Sequence, residues 1–201
     1  MLRILLATTN KGKAKEIIRF FEPLGVEVLL PDGELQVEES GTSFLENAYI
    51  KAKAYQKAYN MPALAEDSGL VVPALGGYPG IYSSRFYSLD WGEVEPVKES
   101  KDRANINKLL RLMEGVKDRR AYYVSFFVLE LGDGGLWAEG RCYGYILHEP
   151  RGEGGFGYDP VFMPEGYDRS MAELSLEEKN LISHRGKALK KLFKLLEPYL
   201  K

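Results

Sequence analysis

Arg3-Ile4-Leu5-Leu6-Ala7-Thr8-Thr9-Asn10-Lys11-Gly12-Lys13 opens on an apolar run and closes on a polar, cationic one. Arg3 to Thr8 reads as a buried strand. Ile17, Ile18 and Phe21 then recur at helical spacing and predict a helix from about Lys11 to Phe21. Asn10 stands where an N-cap belongs. The rest of the chain continues this strand-to-helix alternation. Gly25 to Leu30 reads as a second strand, and Pro31 to Gly41 is polar, acidic and turn-like. Ser43-Phe44-Leu45-Glu46 fits a capping box. The helix that it opens carries Phe44, Ala48, Ala52, Tyr55 and Tyr59 on one side.

A third strand is expected at Pro62-Ala63-Leu64-Ala65, ending at Glu66-Asp67-Ser68-Gly69 before another apolar run, Leu70-Val71-Val72. Leu75 to Phe86 is rich in Gly, Pro and Ser and reads as a loop or lid. Arg103 to Met113 reads as a helix with Ile106, Leu109, Leu110 and Met113 inward. Ala121 to Leu131 is a long strand rich in Tyr, Phe and Val. Gly132-Asp133-Gly134-Gly135 signals a hairpin, with Leu136 to Leu147 returning. Ser175-Leu176-Glu177-Glu178 fits a second capping box, and a last helix runs from about His184 to Leu196. This order predicts a mixed α/β sheet with flanking helices. No repeat or linker divides the chain, so residues 1–201 read as one domain.

Bulk properties exclude several classes. The 201 residues are 45% hydrophobic and 28% charged, the balance of an ordinary globular protein. A net charge of -2 argues against non-specific nucleic-acid binding, which needs a basic face. A single cysteine, Cys142, forms no intrachain disulfide, and two histidines with one cysteine nearly exclude a Cys/His zinc site. The apolar run at Met1 to Ala7 is too short for a signal-peptide core, and no segment has the apolar length to span a membrane. The expectation is a cytoplasmic protein.

Five segments carry chemistry. Two adjacent carboxylates, Glu66 and Asp67, beside a serine and a glycine suit a hard divalent cation and the activation of a water. The competing reading is an Asx turn with Gly69 in a left-handed conformation. Thr8-Thr9-Asn10-Lys11-Gly12-Lys13 places backbone N–H groups, hydroxyls and ammoniums at a helix start, where anions bind. Taken alone it reads more readily as a helix cap with solvated lysines. Glu39 precedes the second helix and could join Asp67 on a cation, but taken alone its segment reads as an acidic surface loop, with Lys51 solvated at the edge of that helix.

Gly154-Gly155-Phe156-Gly157-Tyr158-Asp159 lets backbone approach a ligand closely. Phe156 or Tyr158 could stack on a base there, and Asp159 could accept from ring N–H groups. Lys179 and His184 would lie about 140° apart on one continuous helix, which predicts a break near Ile182 with Ser183 as the next cap. His184 and Arg185 then oppose the dipole of the last helix, a conflict that an anion or a purine would resolve.

Several short motifs follow one another along the chain. They are Thr8-x-Asn10-x-x-Lys13, Glu39 ahead of Phe44-Leu45-Glu46-Asn47-Ala48 and Lys51, Glu66-Asp67-Ser68-Gly69-Leu70, and Gly76-Gly77-x-Pro79-Gly80-x-Tyr82-Ser83. Gly155-Phe156-Gly157-Tyr158-Asp159-Pro160-x-Phe162, Met171-Ala172-Glu173-Leu174, Glu178-Lys179-Asn180 and Ser183-His184-Arg185 complete the set. With them the chain resembles the inosine triphosphate pyrophosphatase family, also called Ham1-like or non-canonical purine nucleotide pyrophosphatases. The resemblance spans nearly the whole chain. It implies hydrolysis of ITP, dITP or XTP to the monophosphate and pyrophosphate, Mg²⁺ as cofactor, a homodimer, and an elongated mixed sheet with a substrate cleft between two lobes.

It further implies that Thr8 to Lys13 hold the triphosphate and that Glu39 and Asp67 bind Mg²⁺, with Asp67 also the general base. Lys51 contacts phosphate and Ser68 the substrate, while Phe156 to Asp159, Lys179, His184 and Arg185 form the base pocket. Thr9 stands where many members carry Gly. The alternatives are a Maf-like pyrophosphatase acting on modified or pyrimidine triphosphates and a non-catalytic nucleotide sensor.

Overall fold

The computed structural model describes residues 2–200. Its strands are β1 (Arg3–Leu6), β2 (Glu27–Leu29), β3 (Ala63–Val71), β4 (Arg120–Glu130), β5 (Gly135–Ile146) and β6 (Phe162–Pro164). They form one six-stranded sheet in the order β2-β1-β3-β4-β5-β6. β1 pairs in parallel with β2 and β3, whereas β5 and β6 are antiparallel, so the sheet is mixed as expected. The helices are α1 (Lys11–Phe21), α2 (Phe44–Tyr59), α3 (Lys101–Leu112), α4 (Leu176–Ile182) and α5 (His184–Leu196).

The chain divides into two compact units. The first comprises Met1–Asp67, Ser125–Gly140 and His184–Lys201, and the second Ser68–Val124 and Arg141–Ser183. The first unit is built by strand alternation. Ile4 and Leu6 of β1, Leu64 of β3, and Phe127 and Leu129 of β4 pack with Ile17 and Phe21 of α1 and Leu189 and Leu192 of α5. The intervening residues Leu5, Ala7, Ala63, Ala65 and Val128 pack with Ala48, Ala52 and Tyr55 of α2. Successive strand residues face opposite sides. One face of the sheet therefore belongs to α1 and α5, and the other to α2.

The second unit gathers Leu70, Phe86, Ile106, Leu109, Tyr123, Tyr158 and Phe162 into its own core. Lys108 is wholly buried beside them and donates its ammonium to the carbonyls of Phe86 and Leu89 at 2.9 and 2.8 Å.

Helix starts follow the capping residues in the sequence. The Asn10 side chain accepts from the Lys13 amide, and Ser43 accepts from the Glu46 amide. Glu46 completes that start through Thr42, whose amide donates to it at 2.6 Å. The box at Ser175 and Glu178 is reciprocal. The chain breaks at Ser183, separating α4 from α5.

Two expectations change. The segment read as a loop or lid, Leu75 to Phe86, contains 3₁₀ helices at Pro73–Leu75 and Gly80–Ser88. It is pinned because buried Ser83 accepts from the Leu70 amide at 2.9 Å and donates to the Gly80 carbonyl at 2.6 Å, while the Phe86 ring fills the core. Its Gly, Pro and Ser content reflects tight turning. Secondly, β3 does not end at the carboxylate pair but runs through it to Val71. An Asx turn at Asp67 is thereby excluded, since Ser68 and Gly69 are strand residues.

Candidate active site

Strand alternation separates the two carboxylates. Glu66 has the parity of Leu64 and faces α1 and α5, whereas Asp67 has the parity of Ala65 and faces α2. Their surroundings differ accordingly.

Glu66 is buried and surrounded by donors. The Arg185 Nε donates to its Oε2 at 2.5 Å, the Ser125 hydroxyl donates to the same oxygen at 2.9 Å, and the Lys13 ammonium lies 3.6 Å from Oε1. Burial works against its charge, but Arg185, Lys13, His184 and the Ser125 hydrogen bond outweigh burial and hold the carboxyl well below the usual range. Arg185 also lies 3.6 Å from Glu16. The electrostatic conflict expected at the start of α5 is thus met by the protein's own carboxylates.

Asp67 is in the opposite condition. Its Oδ2 is shut off from solvent and has no hydrogen-bond partner among the described residues. Burial pushes its carboxyl up to about 7; Lys51 opposes the rise, and the negative charges of Glu39 and Glu66 add to it. Lys51 comes from α2 and forms an ion pair with Glu39 at 2.9 Å while donating to the Glu66 carbonyl at 3.2 Å. Burial works against the Lys51 ammonium, yet Glu39, Asp67 and Glu66 together keep its pKa above the ordinary value. The segment carrying Glu39 is fastened at Gly41, whose amide donates to Asn47 at 2.9 Å.

At the start of α1, the Thr8 hydroxyl accepts from the Asn10 amide at 3.1 Å, while Thr9, Lys11 and Gly12 are exposed and Lys13 is half-buried. Thr8, Asn10, Lys13, Glu39, Lys51, Asp67, His184 and Arg185 all lie in the first unit.

The second unit holds Ser68, Phe156, Gly157, Tyr158, Asp159 and Lys179. Asp159 is buried and accepts from the Tyr123 hydroxyl at 3.0 Å, the Lys179 ammonium at 2.9 Å and the Phe156 amide at 3.2 Å. Three of its roughly four lone-pair positions are therefore filled from within. Lys179 also sits 5.4 Å from the centre of the Phe156 ring. Gly155 is required where it stands because a Cβ there would collide with the Asp159 carboxylate. Its small size serves the wrapping of the loop around that carboxylate.

Stacking on Tyr158 is corrected. Its ring belongs to the core and its hydroxyl donates to the Ser83 carbonyl at 2.6 Å, whereas Phe156 is 46% exposed. Sequence reasoning also missed Ser125, Glu16 and Tyr123. Ser125 left a signal, a serine set among the aromatic and aliphatic residues of β4.

The Ham1 family model matches residues 4–195. The chain belongs to the Ham1 family. The dITP/XTP pyrophosphatase of Aquifex aeolicus (strain VF5) is 57% identical over 196 residues, covering 98% of this chain and 97% of that one. The dITP/XTP pyrophosphatase of Bacillus subtilis (strain 168) is 44% identical over 203 residues, covering 98% of each. The Ham1 protein of Staphylococcus aureus superposes with a TM-score of 0.84 at 39% identity, over 98% of this chain and 99% of that one. The mixed α/β sheet expected from the sequence is thus a Ham1 fold, and the family resemblance is borne out.

Proposed function

We propose that this Ham1-family chain hydrolyses non-canonical purine nucleoside triphosphates (ITP, dITP and XTP) to the monophosphate and pyrophosphate. The names of its relatives support the reading. The observation that carries it is Asp67, a buried carboxylate with an unpartnered oxygen beside Lys51 and Glu39. A carboxylate oxygen left without a protein partner is suited to take a proton from an attacking water.

Hard cations prefer carboxylate oxygens, so Asp67 and Glu39 fit Mg²⁺. Among the described residues no cluster of three or more His, Cys, Asp or Glu is placed to hold a metal. Two carboxylates suffice for Mg²⁺ when phosphate oxygens and water complete its shell. When bound, it would supply positive charge to the phosphates.

The residues divide the work. Asp67 accepts the proton of a water attacking the α-phosphorus, and the α–β anhydride bond breaks to release pyrophosphate. Lys13 and Lys51 offset the charge that develops on the leaving group, with Thr8 to Gly12 and Ser68 as further substrate contacts. Phe156 with Lys179 offers a stacking face for a purine, held by Asp159, with Gly157 and Tyr158 completing the loop. His184 and Arg185 are assigned the 6-oxo edge, a contact that adenine would leave unpaired. We further assign residues 1–201 to a single functional domain, the chain to a homodimer with no nucleic-acid partner, and its location to the cytoplasm. Among the described residues no helix is long and apolar enough to cross a membrane.

Asp67→Asn is expected to lower Mg²⁺-dependent pyrophosphate release from ITP by about 10²- to 10⁴-fold with the fold intact by circular dichroism. Retained turnover would remove Asp67 from its role. Turnover of ITP, XTP, GTP, dUTP and dTTP side by side separates this reading from a Maf-like activity, and tight ITP binding without product would identify a sensor.

A further inference from the structure

Glu66 is adjacent in sequence to the proposed catalytic carboxylate but faces away from it, and the proposed activity gives it no step. Its surroundings show a different task. Two helices, α1 and α5, begin with cations in their first turn, where the helix dipole is itself positive. From each of these starts one cation reaches the same buried carboxylate: Lys13 at 3.6 Å and Arg185 at 2.5 Å. Ser125 of β4 donates to Oε2, the oxygen that Arg185 reaches, while Lys13 faces Oε1. Glu66 is thus the counter-ion around which Lys13 of α1 and Arg185 of α5 are set.

We propose that Glu66 is a positioning residue that fixes Lys13 and Arg185 in register for the triphosphate and the base, and that it does so at a cost in raw phosphate affinity. The proposal rests on the activity assigned above. Its two halves have opposite signs. A negative charge next to Lys13 weakens the attraction of the site for a polyanion. The same charge directs the ammonium and the guanidinium, so productive geometry and base discrimination depend on it. A residue that merely stabilised the fold would leave the ratio of kcat/KM for ITP over ATP unchanged.

The test compares wild type, Glu66→Gln and Glu66→Asp at a temperature well below the unfolding midpoint of each. Glu66→Gln keeps an acceptor for Ser125 but removes the charge. Binding of inorganic pyrophosphate without added metal is expected to tighten by about fivefold, the effect of deleting one like charge near a surface site. In contrast, kcat for ITP is expected to fall by about 10- to 100-fold, with a lower ratio of kcat/KM for ITP over ATP. Glu66→Asp keeps the charge but draws it back by one methylene. It secures the test if the glutamine variant does not fold, and it is expected to lower kcat and the ITP-to-ATP ratio with little change in pyrophosphate affinity. Unchanged kcat and unchanged ratio in the folded variants, or weaker pyrophosphate binding in Glu66→Gln, would overturn the proposal. A wild type that does not turn over ITP would overturn the assigned activity instead, and the pyrophosphate measurement would still decide the electrostatic half.

Discussion

At the residue scale the carboxylates of β3 show how one peptide unit can separate two chemistries. Glu66 is held charged by cations, whereas Asp67 is pushed toward its neutral form by burial. The second shift has a consequence for stability. A carboxyl whose folded pKa is raised to about 7 binds its proton more tightly in the native state than in the unfolded chain. Its contribution is therefore fully present below about pH 4 and is lost as pH rises through about 7. Denaturant unfolding of the metal-free protein should show this loss, on the order of 4 kcal/mol at most, and Asp67→Asn should flatten it. An unchanged pH slope in Asp67→Asn would show that the carboxyl is not raised.

At the element scale the candidate site depends on how closely β5 meets the start of α5. A Cβ on Gly140 would collide with the Ala188 amide and the His184 carbonyl and would lie 2.8 Å from the Lys187 Cβ. Backbone atoms cannot give way as a flexible side chain does. Gly140→Ala should cost about 1–3 kcal/mol in unfolding free energy. Because the shift falls on the first turn of α5, it should also lower the preference for ITP over ATP in an initial-rate panel. Lost stability with unchanged preference would show that His184 and Arg185 do not read the base. The helices were legible where local rules act: α1 and α5 have the boundaries read from apolar spacing, and α4 has its capping box. β6 was not legible, since its three residues join the sheet only by pairing with β5. The Gly80–Ser88 segment was misread for a related reason. Its order comes from Ser83, Phe86 and Lys108, contacts distant in sequence.

At the scale of the whole molecule the chain passes between its two units within β3, β4 and β5, so neither unit is a continuous stretch of sequence. That is why no linker could be found by composition. The proposed homodimer should sediment at the mass of two chains at micromolar concentration, and a single-chain mass there would remove it.

The sequence by itself determined the family, the first five strands with their flanking helices, and the residue types that suit a polyphosphate and a purine. These follow from local periodicity, caps and ordered motifs. Only the tertiary structure decided what each charged group is paired with. It separated Glu66 from Asp67 by strand parity, gave Arg185 a carboxylate, and buried the Tyr158 ring in a core. The reason is physical: a side chain's charge state and reach depend on burial and on partners far along the chain, here 119 residues away in the case of Glu66 and Arg185.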